Sequence, residues 1–344
     1  MGPEAKGKVL EMKLRFVPFL LLLAAAFALP GTTKTTKAEE AYTLRIASLA
    51  PAGSSWMRIL NAWKKTLQER TDGRLKLRFY PGGKQGDERD FVRKIRVGQL
   101  DGALITMTGM SMLVRPMIVL IIPGFLDTYP ELDRVREKMA PEFEKLFEEK
   151  GMKLVGWADA GKTRLFSVNP IKSPSAIKAM RPWAWKDNPV TVEFYHVIGA
   201  NSLRLGVPEV YSALQTRMVD VIMSSALTAV AFQWYTRVKY MTAHNSAIIA
   251  GGTILRKDVF AELPPDLQEL FEITAARAHE LLNQTIREDD EKAYGVVVKR
   301  GIEPVDAGDA EAEWEAAHKQ VRDNLTGRVF TKSLLAAVAA AAEP

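Results

Sequence analysis

Two stretches of the chain lie over one another without a gap. "ERDFVRKIRVGQLD" (88–101) and "VPEVYSALQTRMVD" (207–220) set Phe91 against Val210, Ile95 against Leu214, Leu100 against Val219 and Asp101 against Asp220. Each follows a short segment with strand character ("LKLRFY", "SLRL") and runs into another ("GALITM", "VIMSS"). The same strand, helix and strand are therefore written twice, and the expected fold is α/β with two lobes of similar plan. A generic helix–turn–strand pattern is the alternative source of the echo. Asp101 and Asp220 read either as a carboxylate pair for acid–base chemistry or as polar residues of a turn entering a strand.

The flanking sequence fits that plan. "YTLRIAS" (42–48) alternates like a half-buried strand, and a helix starts at Ser54 or Ser55 and ends at Gly73 before the strand "RLKLRFY". Residues 151–174 read as two strands and a turn carrying the chain between lobes, after which Ser173 caps a helix with Pro174 at its first position. Ile248 to Leu255 is a strand, and from "PPDLQEL" to about Arg300 the pattern stays helical. Some 36 residues of helix span roughly 54 Å, which places it across both lobes. The expected lobes are 42–160 with about 243–288, and 161–242 with about 289–330, followed by an Ala-rich C-terminal tail over 331–344.

Phe16 to Leu29 is an uncharged apolar run, with Lys13 and Arg15 before it and a polar linker (29–41) after it. That layout predicts a signal peptide over 1–28, too short and wrongly flanked for a membrane span. Cleavage fits after Ala28, with a later cut near Ala38 or Ala41 left open, and Met12 opens a tidier signal than Met1. The chain has no cysteine, which excludes disulfides, thiolate metal sites, a cysteine nucleophile and a lipid anchor on cysteine. A net charge of +6 without a basic block argues against nucleic acid as a partner. The 4 histidines are dispersed, with no metal-ligand spacing. No GxSxG elbow, dinucleotide fingerprint or complete phosphate loop is present. The expectation is a non-enzyme without cofactor or metal.

The ordered set "IASLAPAGSSW", "FYPGGKQGDERD", "VGQLDGALI", "GFLDTYPELD", "PIKSPSAIKAMRPW", "GANSLRLGVPEVYSALQTRMVD" and "RKDVFAELPPDLQ" resembles the DctP-type periplasmic solute-binding proteins of tripartite ATP-independent periplasmic (TRAP) transporters, over about residues 42–325. The resemblance implies a two-lobed periplasmic binding protein with a central cleft, a long helix spanning both lobes, one small-molecule ligand, and delivery to membrane permease subunits. A monomer is expected. A periplasmic sensor, a carrier for apolar molecules and an exported enzyme are the alternatives.

The family's usual ligand is an organic acid held by an arginine in the strand after the "PIKSPSAIK" helix. Register puts Trp183 on that position in "AMRPWAWKD", with Arg181 two residues earlier and Trp185 two later. The two indoles either line the cleft, giving a ligand with an apolar or stacked part, or pack the core. Arg164 lies near, one position off, a second arginine of many relatives. Ser224 and Ser225 stand where relatives place an asparagine at a strand end, and Arg217 where they have a turn glycine. Ser54, Ser55 and Trp56 follow the first strand, at the edge where open α/β sheets bind ligands. Phe125, Asn188 and Tyr211 complete the candidate set.

Overall fold

A computed structural model describes residues 41–344; the expected signal peptide and nearly all of the linker lie outside the described residues. The first lobe opens with β1 (Tyr42–Ser48), α1 (Ser55–Arg70), β2 (Leu75–Tyr80), α2 (Glu88–Arg96), β3 (Gly102–Thr106), α3 (Met107–Leu113), α4 (Tyr129–Lys138) and α5 (Ala140–Glu148). The chain then passes through β4 (Met152–Ser167) into β5 (Trp183–Trp185), α6 (Pro189–Val197), β6 (Leu203–Leu205), α7 (Val210–Gln215), β7 (Val221–Ser224), α8 (Ala226–Ala231) and β8 (Tyr240–Thr242). It returns along β9 (Ala247–Arg256) to α9 (Lys257–Ala261), α10 (Pro265–Lys299), β10 (Glu303–Val305), α11 (Glu311–Leu325) and α12 (Lys332–Ala342).

β1 pairs in parallel with β2 and β3, as right-handed strand–helix–strand crossovers require. β9 joins that sheet antiparallel to β3. β4 and β9 run antiparallel from Met152↔Arg256 to Thr163↔Ala247 and so pass from one lobe into the other. The far half of β4 pairs with β7 and β8, and β5 and β6 form a parallel pair beside β7. α10, 35 residues long, packs on β4 and touches both α1 and α8. It crosses both lobes, as its length required.

Residues 151–174 hold one 16-residue strand, Met152–Ser167, and not the two strands and a turn expected from the sequence. The small, turn-like "ADAG" is absorbed as a register shift between Asp159 and Lys162, a bulge that bends a strand without reversing it. Gly161 sits there at φ 104°, and a Cβ would lie 2.5 Å from the Asp290 carboxyl carbon and 2.6 Å from Ser225 Cβ. Gly161→Ala is expected to cost about 2 kcal/mol or more, from backbone strain plus overlap, read as a lower unfolding midpoint.

The echo is structural. Asp101 accepts hydrogen bonds from the backbone N–H (2.7 Å) and Nε (2.9 Å) of Arg45. Asp220 does the same for the backbone N–H (2.6 Å) and Nε (3.0 Å) of Arg181. Both aspartates are thus clips that fix a neighbouring strand, the plainer of the two readings. Gly98 and Arg217 are equivalent in the overlay and both are left-handed, at φ 73° and 61°. The left-handed backbone accounts for the turn glycine that the resemblance implies at position 217, and Arg217→Gly should stabilise the fold by up to about 1 kcal/mol, since a side chain resists that conformation.

The Ala-rich segment set apart as a tail is helical: α12 docks on α4, burying Val338 and Ala341, and Arg134 Nε donates to the Ala342 carbonyl at 2.7 Å. Two imidazoles are buried. His279 lies 2.8 Å from both the Ala275 carbonyl and the Thr253 hydroxyl. Burial lowers the pKa of His279 and of His318 to about 4. A depressed folded-state value means stability that is present above the unfolded value near 6.5 and is lost as pH falls through about 4. The unfolding midpoint should therefore drop across that window, and His279→Gln should flatten the fall.

Candidate functional site

A cavity of about 170 Å³ lies where the lobes meet. Its floor is the crossing strands, through Thr163, residues 158–160 of β4 and residues 247–251 of β9. The first lobe contributes the ends of β1 and β3 and the first turns of α1 and α3, including Trp56 and Thr108. These are the carboxyl ends of parallel strands, the edge at which open α/β sheets bind ligands. From the second lobe come Trp183 and Trp185 of β5, the start of α6, Ser224 at the end of β7, and Thr228, Phe232 and Trp234 beyond it.

Aromatic rings dominate the second-lobe wall. Trp183 stacks on Trp185 at 6.3 Å and meets Trp234 edge-on at 5.6 Å; Phe232 stacks on Trp234 at 5.0 Å. Of the four indole N–H groups at the cavity, those of Trp56, Trp183, Trp185 and Trp234, the first three are already used. Trp183 donates to the Leu205 carbonyl (3.0 Å), Trp185 to Asp87 Oδ2 (3.0 Å), and Trp56 to the Asp159 carbonyl (2.9 Å). These three side chains therefore offer a solute ring carbon and π surface and no N–H donor.

Among the described residues that line the cavity there is no Lys, Arg or His; the charged ones are Glu88 and Asp159. Asp159 is held by two arginines: Oδ1 lies 2.8 Å from Arg136 as an ion pair without a hydrogen bond, and Oδ2 accepts from Arg287 Nε at 2.8 Å, while Arg287 reaches on to Asp133 at 2.6 Å. Glu88 takes the backbone N–H groups of Thr106 and Gly109, both at 2.7 Å, and the Thr106 hydroxyl at 2.9 Å. It occupies the N-terminus of α3, and burial pushes its pKa up to about 8. Free helix N-termini attract anions, but those beside this cavity are filled. Ser54 caps α1, Asn188 caps α6, and Asp290 takes the Leu227 N–H of α8 at 2.9 Å while Ser225 caps the same helix.

Of the residues singled out from sequence, Trp56, Trp183, Trp185, Asn188 and Ser224 line the cavity. Trp183 resolves its own alternative by doing both things: it faces the cavity and is 4% exposed, within the core. The others are placed elsewhere, each for a visible reason. Arg164 alternates with Thr163 along β4, so Thr163 faces the cavity while the guanidinium packs over Tyr294 at 4.7 Å. Arg181 precedes β5 and is held by Asp220. Ser225 caps α8. Ser54 caps α1, and Ser55 donates to Asp289 at 2.5 Å. Phe125 lies under Arg322 at 5.8 Å, and the Tyr211 hydroxyl accepts from Arg237 at 2.7 Å. The sequence reading missed Thr163, Glu88, Phe232 and Trp234. Strand alternation narrows the choice on β4 to Thr163 or Arg164, whereas Phe232 and Trp234 follow α8, where no local pattern marks a cavity wall.

Two α/β lobes bridged by long strands and one long helix, with an apolar cavity between them, define a two-lobed solute receptor. The model of the family described as bacterial extracellular solute-binding protein, family 7, matches residues 46–327, and the chain belongs to that family. The 2,3-diketo-L-gulonate-binding periplasmic protein YiaO of Escherichia coli K12 is 25% identical over 318 residues, covering 91% of this chain and 94% of that protein. A TRAP periplasmic solute-binding protein of Sulfitobacter sp. NAS-14.1, solved with bound β-D-galacturonate, superposes with a TM-score of 0.81 at 19% identity, over 87% of this chain and 100% of that one. One from Shewanella oneidensis with bound succinate gives 0.82 at 14% identity, over 88% and 100%. The fold is the one expected from sequence, and the relatives are receptors, not enzymes.

Proposed function

We propose that the protein is the exported solute-binding subunit of a TRAP-type secondary transporter, which captures one small uncharged solute with a substantial apolar part between its lobes and delivers it to the membrane permease. Family membership and the TRAP relatives support the receptor and transport parts of this reading. The observation that carries the ligand class is the cavity lining: mainly aromatic and aliphatic, with neutral hydroxyl and amide side chains such as Thr163, Asn188 and Ser224 but no cationic side chain among the described residues, and with the adjacent helix N-termini already filled by the protein's own groups. A carboxylate entering there would lose its hydration with no ion partner in return, at a cost of several kcal/mol. An apolar body gains about 25 cal/mol for each Å² it buries.

The solved relatives hold carboxylates, so a small organic acid is the competing reading. Native mass spectrometry of gently purified protein separates the two. The expected result is a one-to-one adduct whose released molecule is neutral; a released carboxylic acid favours the competitor. Arg164→Ala should leave affinity for the released molecule unchanged, since its guanidinium faces Tyr294 and not the cavity.

A further inference from the structure

Asp87 caps α2 and needs only one oxygen to do so: Oδ1 accepts the Glu88 N–H at 2.9 Å. Its other oxygen has both of its partners in the second lobe. Oδ2 accepts the Trp185 indole N–H at 3.0 Å and the Val207 backbone N–H at 3.3 Å. The facing backbone comes close enough that a Cβ on Gly206 would lie 2.6 Å from Oδ2. Two further bonds cross the same rim: Arg89 Nε to Asp187 at 2.9 Å, and Asn188 Nδ2 to the Thr108 hydroxyl at 3.0 Å.

We propose that Asp87 is a positioning residue that clasps the two lobes shut through Trp185 and Val207. The capping role does not account for it, because serine, threonine or asparagine caps a helix as well, and none of that work uses Oδ2. The carboxylate matters because hydrogen bonds to a charged acceptor are about twice as strong as neutral ones. Burial raises the pKa of Asp87, as expected for a carboxylate drawn out of water when the rim closes. Trp185 ties the clasp to the site: the indole that donates to Asp87 also stacks on Trp183 at the cavity wall. Closure therefore sets the angle of that wall, and an occupied wall holds the donor in place for the clasp.

The proposal rests on lobe closure and not on which solute is bound, so its test needs no solute. The chain has no cysteine, so Arg89→Cys with Asp187→Cys gives one reactive pair across the rim. The rate at which a short bis-methanethiosulfonate links the pair reports how often the lobes meet, even when closure is rare. In that parent, Asp87→Ser keeps the cap but is too short to reach Trp185, and it should slow linking about tenfold or more. Trp185→Phe keeps a ring and removes only the N–H, and should slow it too, by less, because Val207 still donates to Oδ2. The two together should be no more than about twofold slower than Asp87→Ser alone, because that variant has already lost the Trp185 bond. Lys84→Ala, exposed on the same loop, should change nothing. Linking at the parent rate in Asp87→Ser, effects that multiply in the double variant, or no linking in the parent would each overturn the clasp while leaving the solute reading intact.

Discussion

Trp183→Ala is expected to cost about 3–5 kcal/mol of stability, the range for removing a large aromatic from a packed interior. The side chain is 4% exposed, its N–H is bonded to the Leu205 carbonyl, and its ring packs between Trp185 and Trp234. The loss should appear in urea unfolding followed by circular dichroism, since the signal must not depend on the indoles themselves. Trp183→Phe retains most of the ring contacts and should cost less; what it loses is one of two bonds to the Leu205 carbonyl, which keeps the Lys186 N–H at 3.2 Å, a loss of about 0.5–1.5 kcal/mol. Affinity should fall in both variants, but only the phenylalanine variant separates the cavity wall from the core. A Trp183→Ala protein as stable as the parent would show that this indole is not part of the packing.

Asp159 is expected to be as costly for an electrostatic reason. Its carboxylate, with no exposed side-chain surface, lies between Arg136 and Arg287, and Arg136 itself is 5% exposed. Arg287 keeps Asp133 if Asp159 is removed, but Arg136 is left with Asp133 alone, at 3.9 Å. Asp159→Ala should therefore destabilise by about 3–5 kcal/mol, the range for breaking a buried pair and leaving its partner charged. Arg136→Met leaves Asp159 paired with Arg287 and replaces a guanidinium stacked on Trp157 at 5.1 Å by an apolar chain of similar length, so it should cost much less. Equal losses in the two variants would mean that the pair acts through packing alone. The cluster joins α4, β4 and α10 beside the bulge, so the bulge region of β4 has a defined geometry.

The fold was legible where periodicity and caps agree. Residues 42–48 alternate and form β1, Ser54 caps α1, and the unbroken helical pattern after "PPDLQEL" becomes α10. It was misread where small residues imitate a turn, as in "ADAG" within β4, because a bulge and a reversal use the same residues and only the pairing partner decides between them. The site shows the same limit. Trp183 and Trp185 are two apart on a strand and share a face, and sequence could say that much. Which of Thr163 and Arg164 faces the cavity depends on the register that this bulge sets, and with it whether Arg164 joins the described lining. Arg181 looked like a continuation of β5, but the strand begins at Trp183 and the Asp220 clip turns the arginine outward. Trp234 and Glu88 reach the cavity through tertiary placement that no local pattern announces.

Matched pairs of solutes decide whether this cavity selects a neutral one. Titration calorimetry of the mature protein would compare D-galactose with D-galacturonate, succinamide with succinate, and phenylacetamide with phenylacetate, each pair differing in whether the polar end carries a negative charge. With no cationic side chain among the described lining residues and Glu88 already on the α3 N-terminus, the neutral member of any pair that binds should bind at least tenfold more tightly. Tighter binding of the carboxylate member would contradict the account.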